Sequence, residues 1–451
     1  STLLASSAAS DVYKRQLLCL LTGCKSDTAV LDRIEKNSKS DDCFRCIKTL
    51  SEDTPARMSG SKSNEEAIAF LKSEMEKAGA DVRTDSVNVP LWLPGVSSLY
   101  YMDETGRKEL NAIPLGMSIG TGGKELNLKV VEFTNKADFE KASSLEGCIV
   151  FFNEKMDTTA NGYSKAGWQR MFGASMAAKK GAEAVITRSL SPVSDNFPRT
   201  GTLRYEEGVK QIPALAISTH DADILSESIA KNPNLRVTFS STSEWKGTAT
   251  GFNLIGEIKG VKNPDKVILI SAHIDSWFNS QGAQDNATGC AQAIDVLRIF
   301  SKAGIKPQNT IRVLIYQDEE ISMSGMKKYI EVYGDESYLY NLEIDSGAEE
   351  PVGFALFETE EVYNKIKLFS DSLRFTPELQ RMPLEDASFW PLNSEKKVPV
   401  YFYMADRKNY FSIHHSEVDN MSLINKDIIS RSSAMITSFV YLTDKVMCSE
   451  K

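Results

Sequence analysis

The chain has 451 residues, of which 41% are apolar and 25% are charged, and its formal net charge is −9. This length allows two or three domains, and the apolar fraction is sufficient to bury a hydrophobic core. The acidic balance, without any run of five basic residues, argues against a nucleic-acid partner, and no apolar run reaches the roughly 18 residues that would span a bilayer.

Residues 1–42 are expected to comprise an N-terminal scar, a signal or lipoprotein segment, and a linker, and the first sixteen of them are excluded from the fold. Within LLCLLTGC, residues 21–24 resemble a bacterial lipobox. This pattern predicts export with a lipid anchor at Cys24, hence a periplasmic or membrane-anchored location if the protein is bacterial, and otherwise secretion. The alternatives are an ordinary secretory segment or no targeting signal, because the apolar stretch is shorter than the ~7 residues usual in a signal peptide.

Cys43 and Cys46 form a lone C-x-x-C pair. A zinc site would need a second pair or two nearby histidines, and the sequence has neither. A local disulfide is an alternative for an exported protein, whereas two partly buried thiols without a functional role are the default expectation.

Residues 43–107 are predicted to form the first part of the larger domain. The stretch SGSKSNEEAIAFLKSEMEKAG predicts one helix, because its apolar residues recur at helical spacing. Ser63 and Glu66 predict a capping box at the start of this helix, and Gly79 predicts its end. The strand DVRTDSVNV follows, and Pro90 predicts a loop after it.

Residues 108–245 are predicted to form an inserted α/β domain. The short strands GCIVFF and AEAVITR flank a predicted helix, GWQRMFGASMAAKKG, and IPALAIS adds another strand. No cluster of histidine, cysteine or acidic residues in this segment indicates chemistry. His220 stands alone, and a lone histidine is far more often structural or solvated than a metal ligand.

Residues 246–451 alternate strands and helices and are predicted to complete the larger domain. KVILISA is an unbroken apolar run, which is typical of a strand covered on both faces. A helix over about 288–300, the strands IRVLIY, YNLEID and VPVYFYM, a helix around MKKYIEVYG and a long closing helix follow. This alternation predicts an α/β fold with a mostly parallel mixed sheet flanked by helices, whose ligands bind at the carboxyl ends of the strands.

The candidate chemical residues of this domain follow its predicted strands. Separate segments therefore bring histidines and carboxylates to one edge of the sheet, which predicts a metal site. The set comprises His273, Asp275, Glu319, Glu320, Asp345, His414 and His415.

Asp285 is the single acid in the loop QGAQDNATG. Gly282 and Gly289 bracket it, so its carboxylate can approach two cations without steric obstruction. Two metal ions roughly 3.5–4 Å apart favour a bridging carboxylate. Asp285 is therefore predicted to bridge two ions, and Asp275 is predicted to accept the second imidazole N–H of His273 and so fix its tautomer.

The adjacent glutamates, Glu319 and Glu320, can divide the remaining work. Successive side chains diverge on an extended chain, so one can bind metal while the other faces water. Metal coordination lowers the pKa of water toward ~7, and a nearby carboxylate can take its proton and pass it to a leaving amine.

The ordered motifs SAHIDSW, QGAQDNATG, YQDEE, EIDSG and YFSIHHSEVDN resemble those of the co-catalytic di-zinc aminopeptidase family, which also contains the glutamate carboxypeptidases. The resemblance extends from about residue 43 to 447. It implies a zinc exopeptidase-like fold with a protease-associated-type insert that shapes the cleft or the oligomer. It also implies two Zn²⁺ ions and hydrolysis of dipeptides or short peptides, with a homodimer in some members.

The resemblance implies five metal ligands. His273 and Asp345 would bind one zinc ion. Glu320 and His415 would bind the other, with Asp285 between the two.

Further roles are implied in the same way. Glu319 would be the general base, and Asp275, which is predicted to orient His273, would be the second catalytic residue. The family pattern of histidine followed by Ser or Thr selects His415, so His414 is expected to be a neighbour or a supporting residue. The segment LEDASFW matches the substrate region of the family only loosely, and Asp386 is assigned no role.

Three alternatives use the same residues differently. A glutaminyl cyclase shares the fold but uses a single zinc ion, and an unrelated di-zinc amidohydrolase also has an H-x-D motif with paired glutamates. A surface-anchored binding protein would use the insert without catalysis. The intact ligand set favours the peptidase, and metal content together with dipeptide hydrolysis separates these cases.

Overall fold

The computed structural model describes residues 27–159, 161–372 and 376–448. The predicted lipobox, with Cys24, lies outside the described residues. The described strands form two eight-stranded sheets. Among the described helices, none has both the length and the apolar character needed to cross a membrane.

The helices and strands follow one another along the chain with short helical turns at Thr49–Asp53, Ala283–Thr288, Leu384–Phe389 and Met421–Leu423. The described helices are α1 (27–38), α2 (Asp42–Lys48), α3 (Lys62–Lys77), α4 (Lys136–Lys141), α5 (Gly162–Ala166), α6 (Trp168–Met171), α7 (Gly173–Ala178), α8 (Thr219–Lys231), α9 (Gly289–Lys302), α10 (Ser324–Tyr333), α11 (Glu360–Ser372), α12 (Pro391–Lys396), α13 (Tyr410–Ile413) and α14 (Lys426–Cys448). The described strands are β1 (Asp81–Leu93), β2 (Ser97–Asp103), β3 (Gly106–Glu109), β4 (Ala112–Pro114), β5 (Leu126–Phe133), β6 (Cys148–Phe152), β7 (Ala184–Arg188), β8 (Ala214–Ile217), β9 (Arg236–Ser241), β10 (Glu244–Ile258), β11 (Asn263–His273), β12 (Asn309–Tyr316), β13 (Ser337–Glu343), β14 (Pro351–Phe357), β15 (Glu378–Met382) and β16 (Val400–Ala405).

The first sheet has the order β1-β10-β12-β11-β13-β16-β14-β15. Its centre, β12-β11-β13-β16, is parallel, whereas β1, β10 and β14 enter with antiparallel pairings. Apolar side chains of α3, α9 and α14 cover one face, and those of α10 and α12 cover the other. The predicted fold class, a mostly parallel mixed sheet flanked by helices, is confirmed.

The second sheet has the order β3-β2-β9-β5-β6-β7-β8-β4, with β5 to β8 parallel. Helix α8 packs on one face, and α4 and α7 pack on the other. This sheet begins at Ser97, before the predicted insert start at residue 108, because β2 pairs with β9 far along the chain. Because the two strands are so far apart in the sequence, neither segment contains a local pattern that would predict their pairing. The division into folding domains stays a prediction.

Helix α3 begins differently from the prediction. Its N-cap is Ser61, whose hydroxyl oxygen accepts a hydrogen bond from the Asn64 backbone N–H at 3.2 Å. The hydroxyl of Ser63 instead donates to the Pro55 carbonyl. The predicted capping box is therefore wrong by one half-turn, whereas Gly79 ends the helix with a φ of +81°, as predicted.

Two other local predictions fail for structural reasons. Strand β1 continues through Pro90 to Leu93, which is tolerated because β1 is an edge strand. The predicted single helix after residue 166 is interrupted at Phe172, where Gly173 approaches β6 so closely that a Cβ there would lie 2.8 Å from the Phe152 ring.

Cys43 and Cys46 are buried free thiols on α2. Burial raises the pKa of both thiols well above the usual value, which keeps them protonated. This matches the default expectation of two buried thiols without a functional role.

Candidate metal centre

The predicted site residues converge at the carboxyl ends of the central strands of the first sheet. His273 is the last residue of β11, and Asp345 follows β13 by two residues. Glu319 and Glu320 lie in the turn after β12, and His415 follows α13. Because β12, β11, β13 and β16 are neighbours, one edge of the sheet presents all of these side chains.

The two carboxylate oxygens of Asp285 face two different groups. Its Oδ1 lies 3.2 Å from His273 Nε2, which is also 3.0 Å from Asp345 Oδ1. Its Oδ2 lies 3.5 Å from His415 Nε2, which is 3.0 Å from Glu320 Oε2. One carboxylate thus stands between two sets of donor atoms, which is the arrangement predicted for a bridging ligand.

Backbone carbonyls orient both imidazole rings. His273 Nδ1 lies 3.1 Å from the carbonyl oxygen of Asp275, and His415 Nδ1 lies 3.3 Å from the carbonyl oxygen of Thr200. Each Nδ1 can donate its proton to a carbonyl, which leaves each Nε2 lone pair directed toward Asp285.

The carboxylate of Asp275 does something other than the sequence predicts. Its Oδ1 is 3.7 Å from His273 Nδ1, beyond hydrogen-bond length, while its two oxygens accept the backbone N–H groups of Glu319 at 3.1 Å and Glu320 at 3.2 Å. Asp275 therefore fixes the turn that carries the two glutamates.

Burial and crowding of like charge dominate the electrostatics. Burial raises the pKa of Glu319 and Glu320 well above the usual value, and neighbouring carboxylates raise both further. Burial alone would lower the pKa of His273, but the three surrounding aspartates raise it well above its ordinary value. Burial lowers the pKa of His415 to about 3, which leaves its imidazole neutral. Neutral imidazole is the form that binds metal.

The donor set fits divalent cations. Glu320 Oε1 is a buried oxygen without a hydrogen-bond partner among the described residues. Two groups of donors, Asp285 with His414 and His415, and Asp285 with His273 and Asp345, each lie within 4.8 Å of one another. Buried carboxylate oxygens beside imidazole nitrogens suit cations that accept both oxygen and nitrogen ligands.

His414 lies closer to the centre than the sequence indicates. Its ring stacks on that of His415 with centroids 3.5 Å apart, and its Nε2 is 3.6 Å from Asp285 Oδ2. Only His415 of the two has a described contact with Glu320, at 3.0 Å. The geometry thus keeps His415 in the predicted place and adds His414 as its packed neighbour.

Asp419 and Arg57 support the Asp285 loop and were not singled out by the sequence. The carboxylate of Asp419 accepts the backbone N–H groups of Gln284 at 2.7 Å and Asp285 at 3.1 Å. Arg57 donates to the backbone carbonyls of Gln281 at 2.9 Å and Gly282 at 2.8 Å, at the start of the loop. Asp419 stands in one of the motifs that carry the family resemblance, but no local spacing reveals the role of either residue.

Left-handed backbone occurs at two non-glycine residues of the site. Asp318, directly before the glutamate pair, has a φ of +66°, and His415 has a φ of +59°. Such conformations cost roughly 1–3 kcal/mol and persist where the surroundings require them. Here they turn the side chains that follow the sheet edge toward Asp285.

A cavity of about 540 Å³ lies over these residues. The acids and histidines form one wall, and side chains of the second sheet and its helices form another, among them Tyr163, Arg170 and Thr202. The Thr200 backbone N–H also donates to the carbonyl of His415 at 3.2 Å. Helices α5 and α6 therefore contribute to the cavity, and Thr200, between β7 and β8, contributes to the position of His415. His220, on α8, is exposed and outside the site, as expected.

Comparison with known proteins agrees with this geometry. The sequence profile of peptidase family M28 matches residues 253–440, which carry the candidate metal centre. The part of the chain that carries the candidate metal centre therefore resembles peptidase family M28. Carboxypeptidase Q of Bos taurus is 29% identical over 393 residues, a match that covers 85% of this chain and 82% of that protein. The predicted resemblance is confirmed.

Solved structures share the architecture of this chain. A peptidase M28 precursor from Shewanella amazonensis superimposes with a TM-score of 0.85 at 27% identity, covering 93% of this chain and 97% of that one. A zinc aminopeptidase from Bacillus subtilis superimposes with a TM-score of 0.65 at 18% identity, covering 89% and 94%, and shares the fold.

Proposed function

We propose that this protein is a two-zinc exopeptidase of the M28 type that hydrolyses dipeptides or short peptides. The observation that supports the proposal is that the two carboxylate oxygens of Asp285 face different histidines. Its Oδ1 lies 3.2 Å from His273 Nε2, and its Oδ2 lies 3.5 Å from His415 Nε2. A carboxylate between two matched donor sets is the chemistry that a pair of divalent ions requires. The similarity to carboxypeptidase Q and the M28 match support a peptidase.

The same five residues proposed from the sequence would hold the ions. His273 and Asp345 would bind one ion, Glu320 and His415 would bind the other, and Asp285 would bridge them. Zinc accepts this mixture of imidazole nitrogen and carboxylate oxygen. When bound, zinc ions supply polarisation of the scissile carbonyl and increase the acidity of water.

Glu319 would move the proton. Its raised pKa, which burial and neighbouring acids cause, makes its carboxylate a stronger base than an exposed glutamate. As a water oxygen bonds to the scissile carbonyl carbon, Glu319 accepts the proton that this water releases. When the carbon–nitrogen bond breaks, Glu319 returns that proton to the departing amine, so the catalytic carboxylate is regenerated.

The decisive experiment is hydrolysis of unblocked, N-blocked and C-blocked dipeptides, with zinc content measured on the same sample. The proposal expects cleavage of unblocked dipeptides with about two zinc ions per chain. Tolerance of a blocked C-terminus would indicate an aminopeptidase within the same proposal. No hydrolysis by a zinc-loaded protein would overturn it and favour the cyclase or the binding protein.

A further inference from the structure

The wall of the cavity that faces the metal centre contains cations that the proposed chemistry does not use. Arg170, Arg204 and Lys327 line the cavity together with the acids of the centre. Arg204 and Lys327 are exposed, whereas Arg170 is only 8% exposed. Of these three cations, Arg170 is therefore the one that is shielded from water.

The hydrogen bonds of Arg170 are incomplete. Its Nε is buried without a partner among the described residues, and its Nη1 donates one long bond, 3.5 Å, to the Thr200 carbonyl. Gly201 makes room for the guanidinium, because a Cβ at that residue would lie 2.6 Å from Arg170 Cζ. A buried charged group with an unused donor is costly unless a partner arrives.

Two other buried arginines nearby, Arg188 and Arg199, also have a buried Nε without a described partner, but each of them forms an ion pair with an acid. Arg188 lies 2.9 Å from Asp223 and Arg199 lies 2.7 Å from Asp195. No such ion pair is present at Arg170 within the part of the chain that the structure describes. A buried arginine that lacks the carboxylate partner of its neighbours is ready to pair with a carboxylate that enters from the cavity.

Contacts connect this arginine to the metal end of the cavity. The Arg170 guanidinium carbon lies 5.1 Å from the centre of the Tyr163 ring, and that ring meets His414 edge-on at 5.3 Å. His414 stacks on His415. Burial raises the pKa of Tyr163, so its phenol stays neutral and supplies no negative charge to Arg170.

We propose that Arg170 binds the free C-terminal carboxylate of the peptide substrate. This inference rests on the proposed function, because it assigns one end of the substrate of that site. A planar guanidinium binds a carboxylate through two parallel hydrogen bonds, which would use the unpaired Nε. In a dipeptide, this carboxylate belongs to the C-terminal residue, which departs as the amine. Arg170 would therefore select substrates in which the residue after the scissile bond is the last residue of the peptide.

The test compares a dipeptide with its C-terminal amide. The readout is the ratio of kcat/KM for the free acid to kcat/KM for the amide, in the wild type, Arg170→Met and Arg170→Lys. The expected ratio is well above one in the wild type. It falls about 100-fold in Arg170→Met, because the variant loses the charge pair that distinguishes the acid from the amide. It falls less in Arg170→Lys, which keeps the positive charge.

Arg188→Met is the matched control. Arg188, at the end of β7, is as buried as Arg170, but it is paired with Asp223 and does not line the cavity. Its loss destabilises the protein without changing the acid-to-amide ratio. An unchanged ratio in a folded Arg170→Met protein, or an equal fall in Arg188→Met, would overturn the assignment of Arg170.

The outcome for Arg170 is distinguishable from the outcome for the proposed function. A wild type that cleaves the acid and the amide equally well would refute the role of Arg170 and leave the peptidase intact. A zinc-loaded wild type that cleaves neither would refute the peptidase itself.

Discussion

Single side chains carry the chemistry proposed for this protein, and Glu319 tests it most simply. Glu319→Gln keeps the size of the side chain and removes its ability to accept a proton. Because the proposed ligands stay in place, we expect zinc content to be unchanged and kcat to fall by about 10²–10⁴. Steady-state kinetics and metal analysis on one preparation check this.

The exposed Glu360 provides the control for Glu319. Glu360→Gln should keep both the metal content and kcat. Normal turnover in a zinc-loaded Glu319→Gln protein would show that another group moves the proton.

For single residues, the sequence predicted which residues form the site better than it predicted which groups each of them contacts. The predicted ligands meet as expected, because residues that directly follow neighbouring parallel strands must share one sheet edge. The carboxylate of Asp275 was expected on His273 and instead binds the Glu319 and Glu320 N–H groups. His273 Nδ1 lies 3.1 Å from the carbonyl oxygen of Asp275 and 3.7 Å from its carboxylate, so less than 1 Å separates the two alternatives. The spacing of residues along the chain does not encode a difference of this size.

At the scale of elements, buried Arg57 connects the turn after α2 to the loop that carries Asp285. Its guanidinium donates to the carbonyls of Leu50 at 2.7 Å, Gln281 at 2.9 Å and Gly282 at 2.8 Å, among others. Arg57→Met would leave these buried carbonyls unpaired. We expect a loss of about 3–5 kcal/mol in unfolding free energy, measured by urea denaturation.

The exposed Arg45 on α2 is the comparison for Arg57. Arg45→Met should change the unfolding free energy by about 1 kcal/mol or less, because exposed ion pairs contribute little. Equal effects of the two substitutions would show that the carbonyls bound by Arg57 find other donors.

The pairing of β10 with β12 predicts a pH dependence. Glu257 lies opposite Arg312 in this pairing. Burial alone would raise the pKa of Glu257, but the hydrogen bond from Lys259 and the charges of Arg312 and Arg83 outweigh it and lower the pKa from 4.5 to about 2. The ionised form therefore stabilises the folded state above about pH 4.5, and this stabilisation is lost as the pH falls toward 2.

Glu257→Gln removes that titration. We expect the wild type to be more stable than the variant near neutral pH, with the difference shrinking by about 3 kcal/mol between about pH 6 and pH 2. Urea unfolding across this range measures the difference. A difference that does not change with pH would contradict the lowered pKa.

Element prediction succeeded where periodicity is local and failed where distant segments meet. The closing helix α14 and the buried strand β11 follow directly from their apolar patterns. The start of the second sheet at Ser97 depends on a partner strand at residues 236–241. The same limit applies to Arg170, whose position at the cavity arises only when the second sheet packs over the first.

For the whole molecule, the second sheet completes the site that the first sheet begins. In the segment between β7 and β8, the Thr200 carbonyl orients the His415 ring, and Arg199 donates to the Ser412 carbonyl beside the histidine pair. The proposed metal and substrate binding would therefore depend on how the two sheets pack. Export, the lipid anchor at Cys24 and the homodimer stay predictions of the sequence.

The central claim is that Asp285 is shared by two metal ions. The most direct measurement is the zinc content per chain of the wild type and of Asp285→Asn after equilibration with zinc and removal of free metal. The account predicts about two ions per chain in the wild type and fewer than one in the variant, since both sites lose a ligand. A fully active wild type with a single ion, or a variant that still retains two, would contradict it.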